Sequence, residues 1–199
     1  MSFFKSAYNL LFDQKAFFEN RAGLRIPIIL TLVYAVVSTV AGIPLLMSTA
    51  AGIPIIISTA AGISEGIFGM LVGITVVSSV ISAVVIWFAV SAFFFACLKF
   101  IGYAECSYKQ VLAVCGYVSA ILILQSVFTG LVSLIGAAPS VLLLVLQGVF
   151  LLWSVPVWYF GFASVCDIPE KKLRMSVAVP VIVIALFTVI TSAGAILAL

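Results

Sequence analysis

Apolar residues fill this chain in runs too long for strand alternation or for a single helical stripe. Between Arg25 and Lys99 the one charged side chain is Glu65, none lies between Lys109 and Asp167, and none follows Arg174. The core of a small soluble domain cannot hide such runs. A bilayer accepts them as helices of about 20 residues, because a helix satisfies its backbone amides within its own segment. The pattern predicts an all-α polytopic membrane protein. Five transmembrane helices are expected at about 26–46, 67–100, 110–135, 141–165 and 175–199, preceded by a cytoplasmic amphipathic segment over 1–25. Pro27 is tolerated in a first turn. The 67–100 run is long enough to tilt, and Gly136-Ala137-Ala138-Pro139-Ser140 makes a turn that resists helix.

The placement of charge gives an orientation and tests the count. With the N-terminus in the cytoplasm, Lys5, Lys15, Arg21, Arg25, Lys99, Lys109, Lys171, Lys172 and Arg174 all fall on the cytoplasmic side, which accounts for all 9 basic residues. The C-terminus then lies on the opposite side. An extra span over 43–63 would carry Lys99 and Lys109 outside, so five spans are preferred to six.

The segment over 41–63 is an apolar repeat insertion. Ala41-Gly42-Ile43-Pro44-Leu45-Leu46-Met47-Ser48-Thr49-Ala50 is followed by Ala51-Gly52-Ile53-Pro54-Ile55-Ile56-Ile57-Ser58-Thr59-Ala60, and a third copy begins at Ala61. These copies are too few for a solenoid. They read as a duplicated loop or helix extension, or as a re-entrant segment broken at Pro44 and Pro54.

At 100° per residue, Phe3, Phe4, Ala7, Leu10, Leu11, Phe17 and Phe18 gather on one face before the first span, with Lys5, Ser6, Asn9, Asp13, Glu19 and Asn20 opposite. Such a segment either lies among the headgroups with its rings in the acyl boundary or packs under the bundle as a cap. Its mixed charges do not resemble a secretory signal.

Composition sharpens the picture chiefly by what it removes. Of the 199 residues 65% are hydrophobic and 8% are charged, and there is no His, the commonest general base and metal ligand. No Ser or Cys has a plausible catalytic base beside it, and no carboxylates pair within a span. Enzymatic activity and a cofactor are not expected. Nucleic-acid binding lacks a basic patch interleaved with stacking aromatics. Cys97, Cys106, Cys115 and Cys166 map near the cytoplasmic half, where a reducing compartment keeps thiols. They lack the C-x-x-C spacing of structural zinc sites, so no metal is expected and their role is packing.

Few polar residues remain inside the spans. Gln125 and Gln147, on consecutive antiparallel spans, are candidates for an intramembrane polar contact or for the lining of a path. Gly62, Gly66, Gly69 and Gly73 form a small-residue stripe suited to close helix approach, within the chain or in a homo-oligomer.

Two further stretches carry a family likeness. Leu10-Leu11-Phe12-Asp13-Gln14-Lys15-Ala16-Phe17-Phe18-Glu19 precedes the first span, and Gly102-Tyr103-Ala104-Glu105-Cys106-Ser107-Tyr108-Lys109-Gln110-Val111-Leu112 enters the third, followed by Cys115-Gly116-Tyr117 and Lys171-Lys172-Leu173-Arg174. This order resembles the Yip-one (Ypt-interacting protein one) domain family, over nearly the whole chain. The resemblance implies a five-helix membrane domain with a cytoplasmic N-terminus. It also implies, for eukaryotic relatives, binding of prenylated Rab-type GTPases in vesicle traffic. This chain lacks their long N-terminal region and their D-L-Y-G-P motif and is more similar to short prokaryotic members, so Rab binding does not carry over. The family's proline before the Phe-Phe pair is replaced by Asp13, Gln14 and Lys15.

The expected function is non-enzymatic: organising or recruiting protein partners or membrane lipids at a cytoplasmic face formed by Lys99, Lys109, Lys171, Lys172 and Arg174, in trafficking or membrane shaping. A small transporter or channel for a solute or lipid-like cargo, using Gln125 and Gln147, is the competing expectation.

Overall fold

The computed structural model describes residues 3–18, 25–50, 65–134 and 140–197, which are helical apart from short connections, with no strand among them. In chain order the helices are α1 (Phe3–Phe12), α2 (Gln14–Phe18), α3 (Arg25–Ala50), α4 (Glu65–Cys97) continued by a π-helical turn (Leu98–Gly102), α5 (Tyr108–Tyr117), α6 (Ser119–Leu134), α7 (Ser140–Val165) and α8 (Glu170–Leu197). Among the described residues four apolar stretches are long enough to cross a membrane, Val76–Gly102, Tyr108–Val132, Leu142–Val165 and Glu170–Ile190, and Arg25–Ala41 is a shorter apolar helix. The molecule is therefore an all-α, polytopic membrane protein.

Large apolar side chains cover much of its outer surface, while several hydroxyl side chains lie inside. Ile81, Val85, Leu152, Phe187 and Ile190 stand exposed, whereas Thr31, Ser91, Ser119, Ser154 and Ser176 are buried. Lipid supplies no hydrophobic drive between helices, so small and hydroxylated residues that let backbones approach take the inner faces. The buried hydroxyls are satisfied largely within their own helices: Ser91 donates to Trp87 O at 2.7 Å and Ser154 to Phe150 O at 2.9 Å. Pro156 and Pro180 lie inside α7 and α8, as membrane helices tolerate.

α3 packs most extensively on α6 and next on α4, while α7 packs on α8 and α5 sits against α3, α4 and α7. A hydroxyl pair ties the first of these contacts, Thr31 Oγ1 lying 3.1 Å from Ser119 Oγ. A Cβ on Gly130 would stand 3.0 Å from that of Ala41, so this glycine sets the close approach of α6 to α3.

The run over 110–135 is two helices rather than one. The chain bends at Val118, whose carbonyl accepts from both Ile121 N at 2.9 Å and Leu122 N at 3.1 Å. Two contacts from other helices fall just before this point. Trp87 Nε1 donates to the Leu112 carbonyl at 3.0 Å, and the Pro27 ring sits where a Cβ on Gly116 would be.

Two sequence features are placed only in part. Of the glycine stripe, Gly62 lies outside the described residues and Gly73 has nothing within 4 Å of its Cβ position, so Gly73 makes no close approach within the chain. The first repeat copy continues α3 as helix through Pro44 to Ala50, without a break at that proline, whereas 51–64 lie outside the described residues.

The amphipathic segment docks on the bundle. Leu10, Phe17 and Phe18 are buried in the main core, and Trp153 Nε1 donates to the Leu11 carbonyl at 3.0 Å. Trp153 is twelve residues from the Val165 end of α7, or about 18 Å along the helix axis. The rings of Phe17 and Phe18 meet Tyr117 edge to face, at 5.0 and 5.5 Å between centroids. Tyr8 and Phe12 remain exposed.

Candidate functional site

One end of the bundle carries Lys99, Lys109, Lys171, Lys172 and Arg174. The π turn that closes α4 ends at Tyr103, which adopts a left-handed conformation (φ 56°), and the chain re-enters helix at α5 through a capping box. Ser107 N donates to Gln110 Oε1 at 2.8 Å while Gln110 N donates to Ser107 Oγ at 3.4 Å. This reciprocal pair satisfies two of the orphan donors of the helix start. Across from it, α8 opens at Glu170 and packs on the π turn.

Lys99, Lys109, Lys171, Lys172 and Arg174 are all exposed at this end. Lys172 Nζ stands 4.5 Å over the ring of Tyr103, and Lys99 Nζ lies 5.7 Å from the ring of Phe95. Arg174 Nη2 bonds Glu170 Oε1 at 2.6 Å, and Tyr159 OH donates to the same carboxylate oxygen. Among the described residues Glu170 pairs with Arg174, one of the three cations on the first turns of α8. Positive charge there opposes the helix macrodipole. This cluster concentrates positive potential at some expense to helix stability.

The four cysteines are free and buried. Cys106 and Cys166 come together from the connections at either side, sharing a thiol hydrogen bond near Lys99. The bond from Cys166 stabilises a thiolate on Cys106 and lowers its pKa to about 7, against the opposing effect of burial, with Lys99 aiding; the Cys166 thiol is pushed up. Cys106 should therefore be alkylated by iodoacetamide at lower pH than Cys166, read by peptide mass spectrometry; the reverse order would contradict this. Among the described residues no group of three or more His, Cys, Asp or Glu side chains is placed to hold a metal ion.

Deeper in the bundle lies a cavity of about 630 Å³ lined by α3, α4, α6, α7 and α8. Gln125 and Gln147 both reach its wall, with Thr31, Tyr34, Ser119 and Trp158. At the basic end the cavity stops at an aromatic layer: Trp158 packs on Phe94 at 4.9 Å, which packs on Phe162 at 5.2 Å, and both phenylalanines are fully buried. Sequence reading placed the two glutamines on neighbouring spans but did not find the cavity or its tryptophan. The available signal was the tryptophans within charge-free runs, whose N–H groups require acceptors.

This architecture defines a polytopic helical membrane protein with a basic end and a cavity between its helices. The Yip1 domain model matches residues 8–192, and the chain belongs to the Yip1 domain family. No curated protein and no solved structure matches it.

Proposed function

We propose that this Yip1-family protein is a non-enzymatic membrane organiser whose basic end faces the cytoplasm and recruits a protein partner or anionic lipid. In this reading five helices cross the bilayer, with α3 the first, and the termini lie on opposite sides. The observation that carries it is the cluster of Lys171, Lys172 and Arg174 on the first turns of α8, beside Lys99 and with Tyr103 under Lys172. Cations placed against a helix dipole serve an external anion better than they serve the helix. The family match is consistent with such a role.

The test is purification from native membranes in mild detergent, comparing the wild type with Lys171→Glu, Lys172→Glu and Arg174→Glu combined. Each basic residue near an anionic surface contributes about 1 kcal/mol, so enrichment of anionic lipid, or recovery of a stoichiometric partner, should fall at least about tenfold. Unchanged recovery of both would sink the proposal. A transporter for lipid-like cargo draws support from Gln125 and Gln147 on the cavity wall. The closed aromatic layer at Phe94 and Phe162 favours the organiser over an open channel.

A further inference from the structure

We propose that the cavity between α3, α4, α6, α7 and α8 binds an uncharged amphiphile, whose carbonyl accepts a hydrogen bond from Trp158 Nε1 and whose apolar body fills the remaining walls.

The first observation is an unpaired donor. Trp158 is 5% exposed, lines the cavity, and its Nε1 has no hydrogen-bond partner. The sulfur of Cys115 lies near the indole but outside hydrogen-bond geometry, and a thiol is a weak acceptor. The other two tryptophans show what such a group ordinarily finds, each giving its N–H to a backbone carbonyl at 3.0 Å. An orphaned buried donor costs about 1–3 kcal/mol. A ligand that brings its own acceptor removes that cost.

The second observation is the chemistry of the walls. Every described lining residue is uncharged: serines, threonines, glutamines, aromatics, Cys115 and aliphatics. A phosphate or ammonium would enter without a counter-charge in a low-dielectric site, which excludes charged headgroups on desolvation grounds. Several hydroxyls already donate within the protein, Thr31 to Pro27 O and Ser154 to Phe150 O. The free donor at Trp158 therefore sets the orientation of a bound carbonyl. A cavity of about 630 Å³ falls within the size range of small-molecule sites.

The third observation is access. The aromatic layer closes the cavity at the basic end, whereas Gly148 on its wall is exposed with nothing within 4 Å of its Cβ position. Ile86 on α4 and Val189 on α8 also line the cavity and are exposed, so entry is from the bilayer, past α4, α7 or α8. Neutral carbonyl amphiphiles available there are acylglycerol esters and isoprenoid quinones.

The experiment is photolabelling of the full chain in mild detergent with two diazirine probes, a monoacylglycerol and a short-chain quinone, and with the matching fatty-acid anion as comparator. Saturable labelling of cavity residues such as Gln147 and Trp158 by either neutral probe is expected, and the probe that labels identifies the source. Gly148→Phe should lower that labelling at least tenfold. Trp158→Phe keeps the ring stack, so it decides the matter if the bulkier variant fails to fold, and should lower labelling about fivefold. Recovery of a partner at the basic end should be unaffected by Trp158→Phe, which separates this inference from the proposed function. Labelling confined to outward residues such as Leu152 and Phe187, equal labelling by the anion, indifference to Trp158→Phe, or a cavity holding only water would each overturn it.

Discussion

Gly116→Leu should unseat α3 from the bend between α5 and α6 and destabilise the bundle by about 3 kcal/mol or more. A Cβ at Gly116 would stand 2.6 Å from the Pro27 Cβ and 3.1 Å from Trp87 Cζ2. Neither neighbour has an easy retreat. The proline ring is fused to the backbone of α3, and Trp87 is held by its bond to the Leu112 carbonyl. Relief requires moving α3, which opens the contact between Thr31 and Ser119. In a thermal melt followed by size exclusion in mild detergent, the midpoint should fall by about 6–12 °C on the size scaling for chains of this length. Gly73→Ala is the matched control, since nothing lies within 4 Å of its Cβ position. That control should be neutral or slightly stabilising through helix propensity. If both variants melt with the wild type, the close approach at Gly116 does not hold the helices together.

The same contact shows where reading the chain stops. Missing charges between Lys109 and Asp167 are enough to require helices, because lipid allows few other backbones. They do not say which face turns inward, since α4 and α7 are apolar all round. The inward faces are marked by Thr31, Ser91, Ser119 and Ser154, a cue present in the sequence once hydroxyls rather than large apolar residues are followed. The bend at Val118 has no local cue of its own. Pro27 and Trp87, on other helices, meet Gly116 and Leu112 just before it. The basic residues of the candidate site were legible as charges on one side of a topology, and their exposure follows from the cost of burying them. The pairing of Cys106 with Cys166 was not legible, because a contact between distant connections leaves no spacing to read. Nor was the cavity, which is a gap between helices and depends on how all of them pack.

The N-terminal segment allows a sharper test of that packing. Phe17→Ala with Phe18→Ala should release α1 and α2 from the bundle while leaving α3 to α8 in place. Both rings are about 5% exposed or less, and they close on Tyr117 from two sides. Phe18 Cζ also lies 3.2 Å from the Cβ position of Gly161, so α7 is open at that point to admit the ring. Removing one such ring costs about 3–5 kcal/mol, more than a helix as short as α2 can recover elsewhere. The bond from Trp153 to the Leu11 carbonyl would be left to hold the segment, at a net contribution of about 1 kcal/mol. Hydrogen exchange read by mass spectrometry should show the amides of 9–18 losing protection by at least about a hundredfold, given that 1.4 kcal/mol is a factor of ten. Amides of α7 away from Gly161 should keep theirs. Unchanged protection over 9–18 would mean that the segment is held by the bilayer surface rather than by Tyr117 and Gly161. In that case its aromatic face would serve the membrane, as an interfacial helix does, and the docked rings would be incidental to its position.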